Sequence, residues 1–346
     1  MSKAIVTVTG GSGYIASWII HDLLQEGHEV RTTVRDKSKV EKYKHLLALE
    51  EQSPGTLRVY EANLTHEGSF DEAVAGAQIV IHTASPFFLD DKNDPQKNLI
   101  DPAVEGTKNV LNAVNKSDTV TRVVLTSSLA AIYGDNQDLH NSRMGALNEE
   151  MWNTTSTLKH NAYSLSKTEA EKVAWAMEKE QLRWRLVTIH PGFVLGPSLT
   201  TRKDSTSIET LLRMLRGDIS MGAPELSFIY SDVRDVARGH VLAAFSLEAK
   251  GRYIIANEAG DLLDLSRIIE KNYPAQYKLP KRYVAKWILW IIAPTIGFSR
   301  TYVTKNVGYP LVCDHSKSVK DLKIQYIPLE KTVVDHIEQL KRDKLI

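Results

Sequence analysis

The chain has 346 residues and carries 43 Lys and Arg against 42 Asp and Glu, a net charge of +1, so overall charge makes no case for nucleic acid or an anionic membrane surface as partner. Apolar residues at 42% and charged residues at 25% are ordinary globular usage, and this length buries a sizeable core in one large or two modest domains, which excludes disordered, collagenous and coiled-coil chains. The single cysteine, Cys313, excludes an internal disulfide, and the opening MSKAIVTVTG has neither a signal-peptide core nor an Arg-rich presequence, so a cytoplasmic protein is expected.

Residues 4–9 (AIVTVT) are a short β-branched run ending at Gly10, and they read as a buried strand entering a turn. Similar runs follow at 29–34, 57–62, 79–82, 120–126 and 186–190, while 15–25, 102–114 and 162–180 have helical spacing. This alternation predicts a parallel sheet with helices on both faces, because parallel neighbours need a long right-handed crossover. Beyond Gly196 the pattern loosens into a polar stretch at 198–207, a strand near 227–230, a helix over 233–246, a strand over 251–256 and a closing helix over 331–341. The apolar run WILWIIA at 287–293 is too short for a spanning helix, which needs roughly 20 residues. It reads as a packed helix beside a pocket, an oligomer contact or a peripheral membrane contact. With no flexible linker, the two parts should pack tightly around a cleft.

Gly10, Gly11, Ser12, Gly13, Tyr14, Ile15 and Ala16 follow the first strand and open the first helix. Small residues here serve a tight turn, the close approach of a pyrophosphate to the backbone, and a helix N-terminus with unpaired N–H groups. A glycine pattern alone is weak and can be a turn without ligand, but at the start of a βαβ unit it points to a dinucleotide. The end of the second strand selects the cofactor. Arg35, with Lys39 and Lys42 in the next two turns, suits the 2′-phosphate of NADPH, although Asp36 could instead turn toward the ribose and the cations could simply solvate a helix start.

Tyr163 and Lys167 lie four residues apart on one helical face, and the fifth predicted strand ends in Thr126, Ser127 and Ser128. Ligands of open α/β sheets gather at such strand ends. Hydride transfer to a carbonyl leaves an alkoxide that needs an acid. A tyrosine fits if a cation lowers its pKa from about 10, and a serine hydroxyl can orient the carbonyl. The expected roles are therefore Tyr163 as acid, Lys167 as pKa-lowering cation and ribose anchor, and Ser128 as carbonyl orienter.

With these residues in place, the chain resembles the extended short-chain dehydrogenases/reductases, and within them the dihydroflavonol reductase group with its microbial aldehyde, ketone and methylglyoxal reductases. The resemblance covers most of the chain through VRTTVRD (30–36), EGSFDEA (67–73), HTASPF (82–87), RVVLTSS (122–128), NAYSLSK (161–167), HPGFVLGP (190–197) and DVRDVARGH (232–240). It implies a Rossmann-type doubly wound α/β fold with a smaller α/β C-terminal part. Residues 1–195, completed by 229–257, would bind NADP, and 196–346 would mainly bind substrate. The family triad falls on Ser128, Tyr163 and Lys167, and the 2′-phosphate clamp on Arg35 with Lys39 or Lys42. The resemblance further implies that Asn63 and Leu64 border the adenine, that Thr83, Ala84 and Ser85 pass under the ribose and pyrophosphate, and that Pro191, Gly192 and Val194 meet the nicotinamide. Thr126 and Ser127 are expected beside the cofactor as well. Asn63 replaces the usual aspartate, but its carbonyl can still accept from the adenine amino group. Ala103 stands where relatives often carry asparagine, so water would complete the proton relay.

Tyr133 replaces an asparagine of the plant flavonoid reductases, and the cinnamoyl-CoA reductase signature is missing around HNAYSLSK, so neither plant substrate class is expected. Phe87, Phe88, Tyr133 and Phe193 are placed to form an apolar pocket, unless they are simple core residues, which implies hydrophobic aldehydes, ketones or keto esters. No H-E-x-x-H, G-x-S-x-G or Gly-Lys-Ser/Thr motif occurs, and His82 and His190 read as packed histidines rather than metal ligands. Three readings remain: an NADPH-dependent carbonyl reductase, an epimerase, dehydratase or hydroxysteroid-type dehydrogenase/isomerase of the same superfamily, and a non-catalytic nicotinamide sensor. The expected partner is a small carbonyl substrate, with no nucleic acid, no integral membrane segment, and a monomer or homodimer.

Overall fold

A computed structural model describes residues 3–85, 94–142, 144–201 and 205–346. In chain order the strands are β1 (Ile5–Thr9), β2 (Glu29–Val34), β3 (Thr56–Glu61), β4 (Ile79–His82), β5 (Arg122–Thr126), β6 (Arg185–Pro191), β7 (Phe193–Leu195), β8 (Phe228–Asp232), β9 (Gly251–Ile255) and β10 (Glu258–Gly260). The main sheet runs β3-β2-β1-β4-β5-β6-β9 with every pair parallel. Its order reverses between β1 and β4, so a crevice opens there at the carboxyl ends of the strands.

Both faces of this sheet are covered, which is why its strands are apolar runs rather than alternating ones. On one face, Ile19, Ile20 and Leu23 of the helix Tyr14–Gln25 and Val236 and Val241 of the helix Val233–Phe245 pack on Val6, Val8 and Val30. On the other, Val110, Leu111 and Val114 of the helix Asp101–Lys116 and Ala174 of the helix Ala162–Lys179 pack on Val80, Val123 and Leu186.

A second sheet, β10-β8-β7, pairs β7 with β8 in parallel and β8 with β10 antiparallel. The helices Thr206–Arg216, Leu262–Asn272 and Leu329–Arg342 pack around it through a separate core. The strand expected near 227–230 therefore forms as β8 in this second sheet, and the main sheet gains only β9 from the segment expected to complete it. Part of the polar stretch at 198–207 gives way to a helix at Thr206, where Ile208, Leu211, Leu212 and Leu215 recur at helical spacing and are buried. The run at 287–293 is a correction to the packed-helix reading. The helix Lys286–Ile292 buries only Leu289, which with Ala293 sits on Val303 and Val307. Among the described residues, no helix is long and apolar enough to cross a membrane.

Candidate active site

The tips of β1 and β4 lie in register, Thr9 beside His82. Thr9 Oγ1 accepts from the backbone N–H groups of Thr83 (3.2 Å) and Ala84 (3.1 Å), so its own proton goes to His82 Nδ1 at 2.8 Å. Thr83 Oγ1 donates back to the Thr9 carbonyl at 2.6 Å. Burial, with Lys167 nearby, pulls the His82 pKa to about 3, so the ring is a neutral packing partner. Gly10 bends at φ +72° with Ala84 Cα only 3.0 Å from where its Cβ would stand, so any side chain would part the two tips. Gly13 leads into the helix Tyr14–Gln25 without a side-chain cap, and Ser12, Gly13 and Ile15 are half-buried at that N-terminus. The Tyr14 side chain leaves the loop: its hydroxyl donates to the Gly196 carbonyl.

Arg35 is exposed at the end of β2 and has no carboxylate partner among the described residues. Asp36 is engaged with its own neighbours. Its carboxylate accepts from Ser38 N (3.0 Å) and Ser38 Oγ (2.5 Å) and pairs with Lys39 at 2.9 Å, and these contacts hold its pKa down to about 2. Lys39 is thus engaged locally, and Lys42 is exposed in the short helix Val40–Lys42. Asn63 corrects a second expectation. Its Oδ1 accepts from both the backbone N–H (3.1 Å) and the hydroxyl (3.0 Å) of Thr65, so the oxygen expected to meet an adenine amino group is occupied. Leu64 packs on Gly106 of the helix Asp101–Lys116.

Ser128 follows β5 and caps the short helix Leu129–Ala131, which packs against the helix Ala162–Lys179. Its Oγ accepts from Ala130 N at 3.1 Å, which fixes the oxygen and leaves the O–H to donate elsewhere. Lys167 Nζ donates to Ser85 Oγ at 3.1 Å and stands 5.9 Å from the centre of the Tyr163 ring. Burial pushes Tyr163 up to about 12 and pulls Lys167 down to about 8. Desolvation thus favours the neutral form of both groups. Thr126 and Ser127 also differ from expectation, because their side chains face inward. Thr126 Oγ1 shares a hydrogen bond with His240 Nε2 at 2.7 Å, and Ser127 Oγ donates to Glu171 at 2.6 Å.

A cavity of about 200 Å³ opens beside Ser128. Tyr133 and Phe193, named for the pocket, line it, together with Pro191 and Gly192, named for the nicotinamide, and with Phe228, Tyr302, Asn136, Asn161, Ser164 and Asn306. Tyr163 and Lys167 stand on the helix that supplies Ser164. Val194 faces the sheet core instead. Gly192 is required where the chain passes from β6 to β7, since a Cβ there would lie 2.1 Å from the Ile229 carbonyl oxygen. Phe193 packs against Phe228 with ring centres 4.8 Å apart. Phe87 and Phe88 lie outside the described residues. The lining is not the purely apolar pocket expected: aromatic rings alternate with asparagines whose amides are bonded within the wall. The Tyr133 and Tyr302 hydroxyls have no partner among the described residues, and burial raises both pKa values, that of Tyr302 to about 12.

Two buried networks support these walls and were not anticipated. Glu171, one turn beyond Lys167, accepts from Ser127, from Thr188 Oγ1 (3.2 Å), from His190 Nε2 (2.8 Å) and from Arg252 Nε (2.8 Å). Burial alone would raise its pKa, but His190 and Arg252 hold it well below the ordinary carboxylate range. Arginine in the otherwise apolar strand at 251–256 was the available signal, since a buried guanidinium demands a buried carboxylate. The second network centres on Asp135, whose side chain is 0% exposed. It accepts from His160 Nε2 (2.7 Å), Asn161 Nδ2 (3.0 Å) and Asn306 Nδ2 (2.7 Å), with Lys305 Nζ at 3.4 Å. Asn161 takes a left-handed conformation, φ 58°, immediately before the helix that carries Tyr163. Among the described residues, no group of three or more His, Cys, Asp or Glu side chains is arranged to hold a metal ion.

The uncapped helix start, the close Gly10–Ala84 approach, the exposed Arg35 without a carboxylate partner among the described residues and the Lys167–Ser85 contact fit a phosphorylated nicotinamide dinucleotide laid across the strand tips. Comparison with known proteins points the same way. Residues 6–256 match the NAD dependent epimerase/dehydratase family. The chain is 37% identical over 343 residues to a cinnamoyl-CoA reductase of Medicago truncatula, covering 98% of this chain and 96% of that protein. It is 38% identical over 284 residues to tetraketide alpha-pyrone reductase 1 of Arabidopsis thaliana, covering 82% of this chain and 85% of that protein. Among solved structures, yeast methylglyoxal/isovaleraldehyde reductase complexed with NADPH superposes with a TM-score of 0.78 at 29% identity, covering 99% of this chain and 100% of that one.

Proposed function

The chain belongs to the NAD dependent epimerase/dehydratase family and is an NAD(P)-dependent reductase within it, and from that premise we propose that it uses NADPH to reduce a hydrophobic aldehyde, ketone or keto ester to the alcohol. The observation that carries this reading is the placement of Ser128, whose O–H has no acceptor among the described residues, on the cavity wall beside the helix of Tyr163 and Lys167, while Lys167 reaches across to Ser85. On this reading, residues 1–195 with 229–257 hold the cofactor and 196–346 mainly contact the substrate.

The cofactor, when bound, supplies the hydride. Ser128 Oγ–H donates to the carbonyl oxygen and fixes its position. Tyr163, held neutral by burial, donates its proton to that oxygen as negative charge develops there. A phenol with a pKa of about 12 suffices. The parent alcohol of an alkoxide is about as weak an acid as water, with a pKa of about 15.7, so the transfer runs downhill by several units. Lys167, charged below about 8, stabilises the phenolate left behind. The Arg35 guanidinium binds the 2′-phosphate.

The test is NADPH consumption by the purified protein with a panel from methylglyoxal through aromatic aldehydes to bulky keto esters, with cinnamoyl-CoA included because of the Medicago relative. Turnover with strong NADPH preference is expected, and Tyr163→Phe should reduce it by roughly 10²- to 10⁴-fold with cofactor affinity nearly intact. Full activity in Tyr163→Phe would overturn the assigned roles. Cofactor retained through dialysis with no turnover across the panel would favour the epimerase reading.

A further inference from the structure

We propose that the face formed by residues 278–306 docks on an anionic lipid surface. This stretch carries six cations (Lys278, Lys281, Arg282, Lys286, Arg300 and Lys305) and no Asp or Glu, in a chain whose net charge is only +1. Along the chain the positive charge is therefore concentrated here; from other elements, Asp261 accepts from the Tyr283 hydroxyl at 2.6 Å and Glu225 lies near Lys286. Three of the six are engaged: Lys305 faces buried Asp135, Lys286 donates to the carbonyls of Thr304 (2.9 Å) and Val307 (2.7 Å), and Arg282 donates to the Met221 carbonyl at 3.4 Å. Lys278, Lys281, Arg282 and Arg300 have no carboxylate partner among the described residues.

The same face exposes large apolar side chains. Trp287 is 67% exposed, Ile291 54% and Trp290 42% on the helix whose single buried residue is Leu289, and Ile296 at 50% and Phe298 at 46% follow it. A patch of this kind on a water-soluble chain marks an interaction site. The Arg300 guanidinium lies 4.4 Å over the Trp290 ring, so cation and indole occupy one spot. Indoles settle at the headgroup level of a bilayer, isoleucines enter the acyl boundary beneath it, and surrounding cations meet lipid phosphates. A second copy of this chain is the less suitable occupant. A two-fold contact sets a patch against itself, and here that would bring like charges together at the rim.

Docking has a consequence for the cavity. Phe298 stacks on Tyr302 with ring centres 5.2 Å apart, and Tyr302 and Asn306 line the cavity. Seating the patch in lipid therefore brings the cavity wall to the interface, where a lipophilic carbonyl compound partitions. This consequence rests on the reductase reading, whereas the docking itself does not.

The full chain should be sedimented with phosphatidylcholine vesicles and with vesicles carrying about 30% phosphatidylserine, at about 0.1 M and about 0.5 M salt. The expected result is binding to the anionic vesicles with a blue shift of tryptophan emission, weaker by about tenfold or more on neutral vesicles or in high salt. The double variants Trp287→Ser/Trp290→Ser and Lys281→Glu/Arg282→Glu should each lose about tenfold in vesicle affinity while keeping turnover of a water-soluble aldehyde. Absence of binding by the folded protein, equal binding to neutral vesicles, or patch variants that convert a dimer to monomer without any vesicle binding would each overturn the proposal. Vesicle binding by a protein that reduces no carbonyl would instead overturn the reductase reading and leave the docking standing.

Discussion

The two walls that meet at Ser128 are built in opposite ways. On the cofactor side, hydroxyls and amides at the tips of β1 and β4 bond to their neighbours across a parallel register, as Thr9 does with Thr83 and Ala84. Each group stands where its strand ends. On the cavity side, residues from 128–136, 161–164, 191–193, 226–229 and 302–306 converge from distant parts of the chain. The segments 161–164 and 302–306 are tied to 128–136 through one buried carboxylate, Asp135, while 191–193 and 226–229 join through β7 and β8 of the second sheet. One wall is fixed by strand register and the other in large part by side-chain hydrogen bonds, so different substitutions should damage them.

The largest effect is expected where the walls join. Gly192→Ala drives a methyl to within 2.1 Å of a backbone oxygen in β8, and neither strand can yield without breaking the β7–β8 pairing. A loss of at least about 3 kcal/mol is expected, with a thermal midpoint several degrees lower and turnover abolished. A thermal melt that matched the parent would show that this junction is pliable and that the contrast between the walls is overstated.

Next comes Asp135→Ala, which leaves His160, Asn161, Asn306 and Lys305 facing an empty site. Removing one member of a buried charged network costs about 3 kcal/mol. The sharper expectation is a split. The KM for the carbonyl should rise several-fold while cofactor affinity, measured by fluorescence titration, stays within about twofold, because Asp135 touches only the cavity side. Equal losses on both sides would mean that the walls are not independent.

How far each wall was legible in the sequence follows from the same contrast. The strand runs, the glycine loop, Tyr163, Lys167 and Ser128 were readable because local pattern and spacing fix where a strand ends and which helix face carries two residues. Tyr302, Asn306 and Phe228 were not, since only the tertiary fold brings the helix Arg300–Asn306 and β8 to residue 128. Side-chain direction was the other gap. Thr126, Ser127 and Asn63 sit at the expected positions, yet their polar atoms bond within the protein, and a motif does not specify a rotamer.

Arg35→Gln tests the cofactor side alone. Losing a charge-assisted contact to a phosphate is worth about 2 kcal/mol, so NADPH affinity should fall roughly thirtyfold while NADH affinity is unchanged. Parallel losses for both cofactors would place Arg35 away from the 2′-phosphate and return the choice to Lys42, which is exposed and has no carboxylate partner among the described residues.

The smallest effect is one of pH, and it separates charge from folding. Burial lowers the Lys167 pKa to about 8, so its charged fraction drops about tenfold between pH 7 and pH 9. If that charge stabilises the phenolate of Tyr163, the reductive kcat should fall by about the same factor over this range. Stability moves the other way. In the unfolded chain Lys167 titrates at the ordinary lysine value, above its folded value, so the cost of burying its charge is fully present below about 8. That cost disappears as the pH rises from about 8 toward the ordinary lysine value, so this group makes the fold more stable across the window in which activity is lost. A kcat that declines while the melting temperature holds or rises therefore identifies loss of the ammonium charge. A kcat that stays level to pH 9 would mean that Lys167 holds Ser85 and the ribose without acting on the proton.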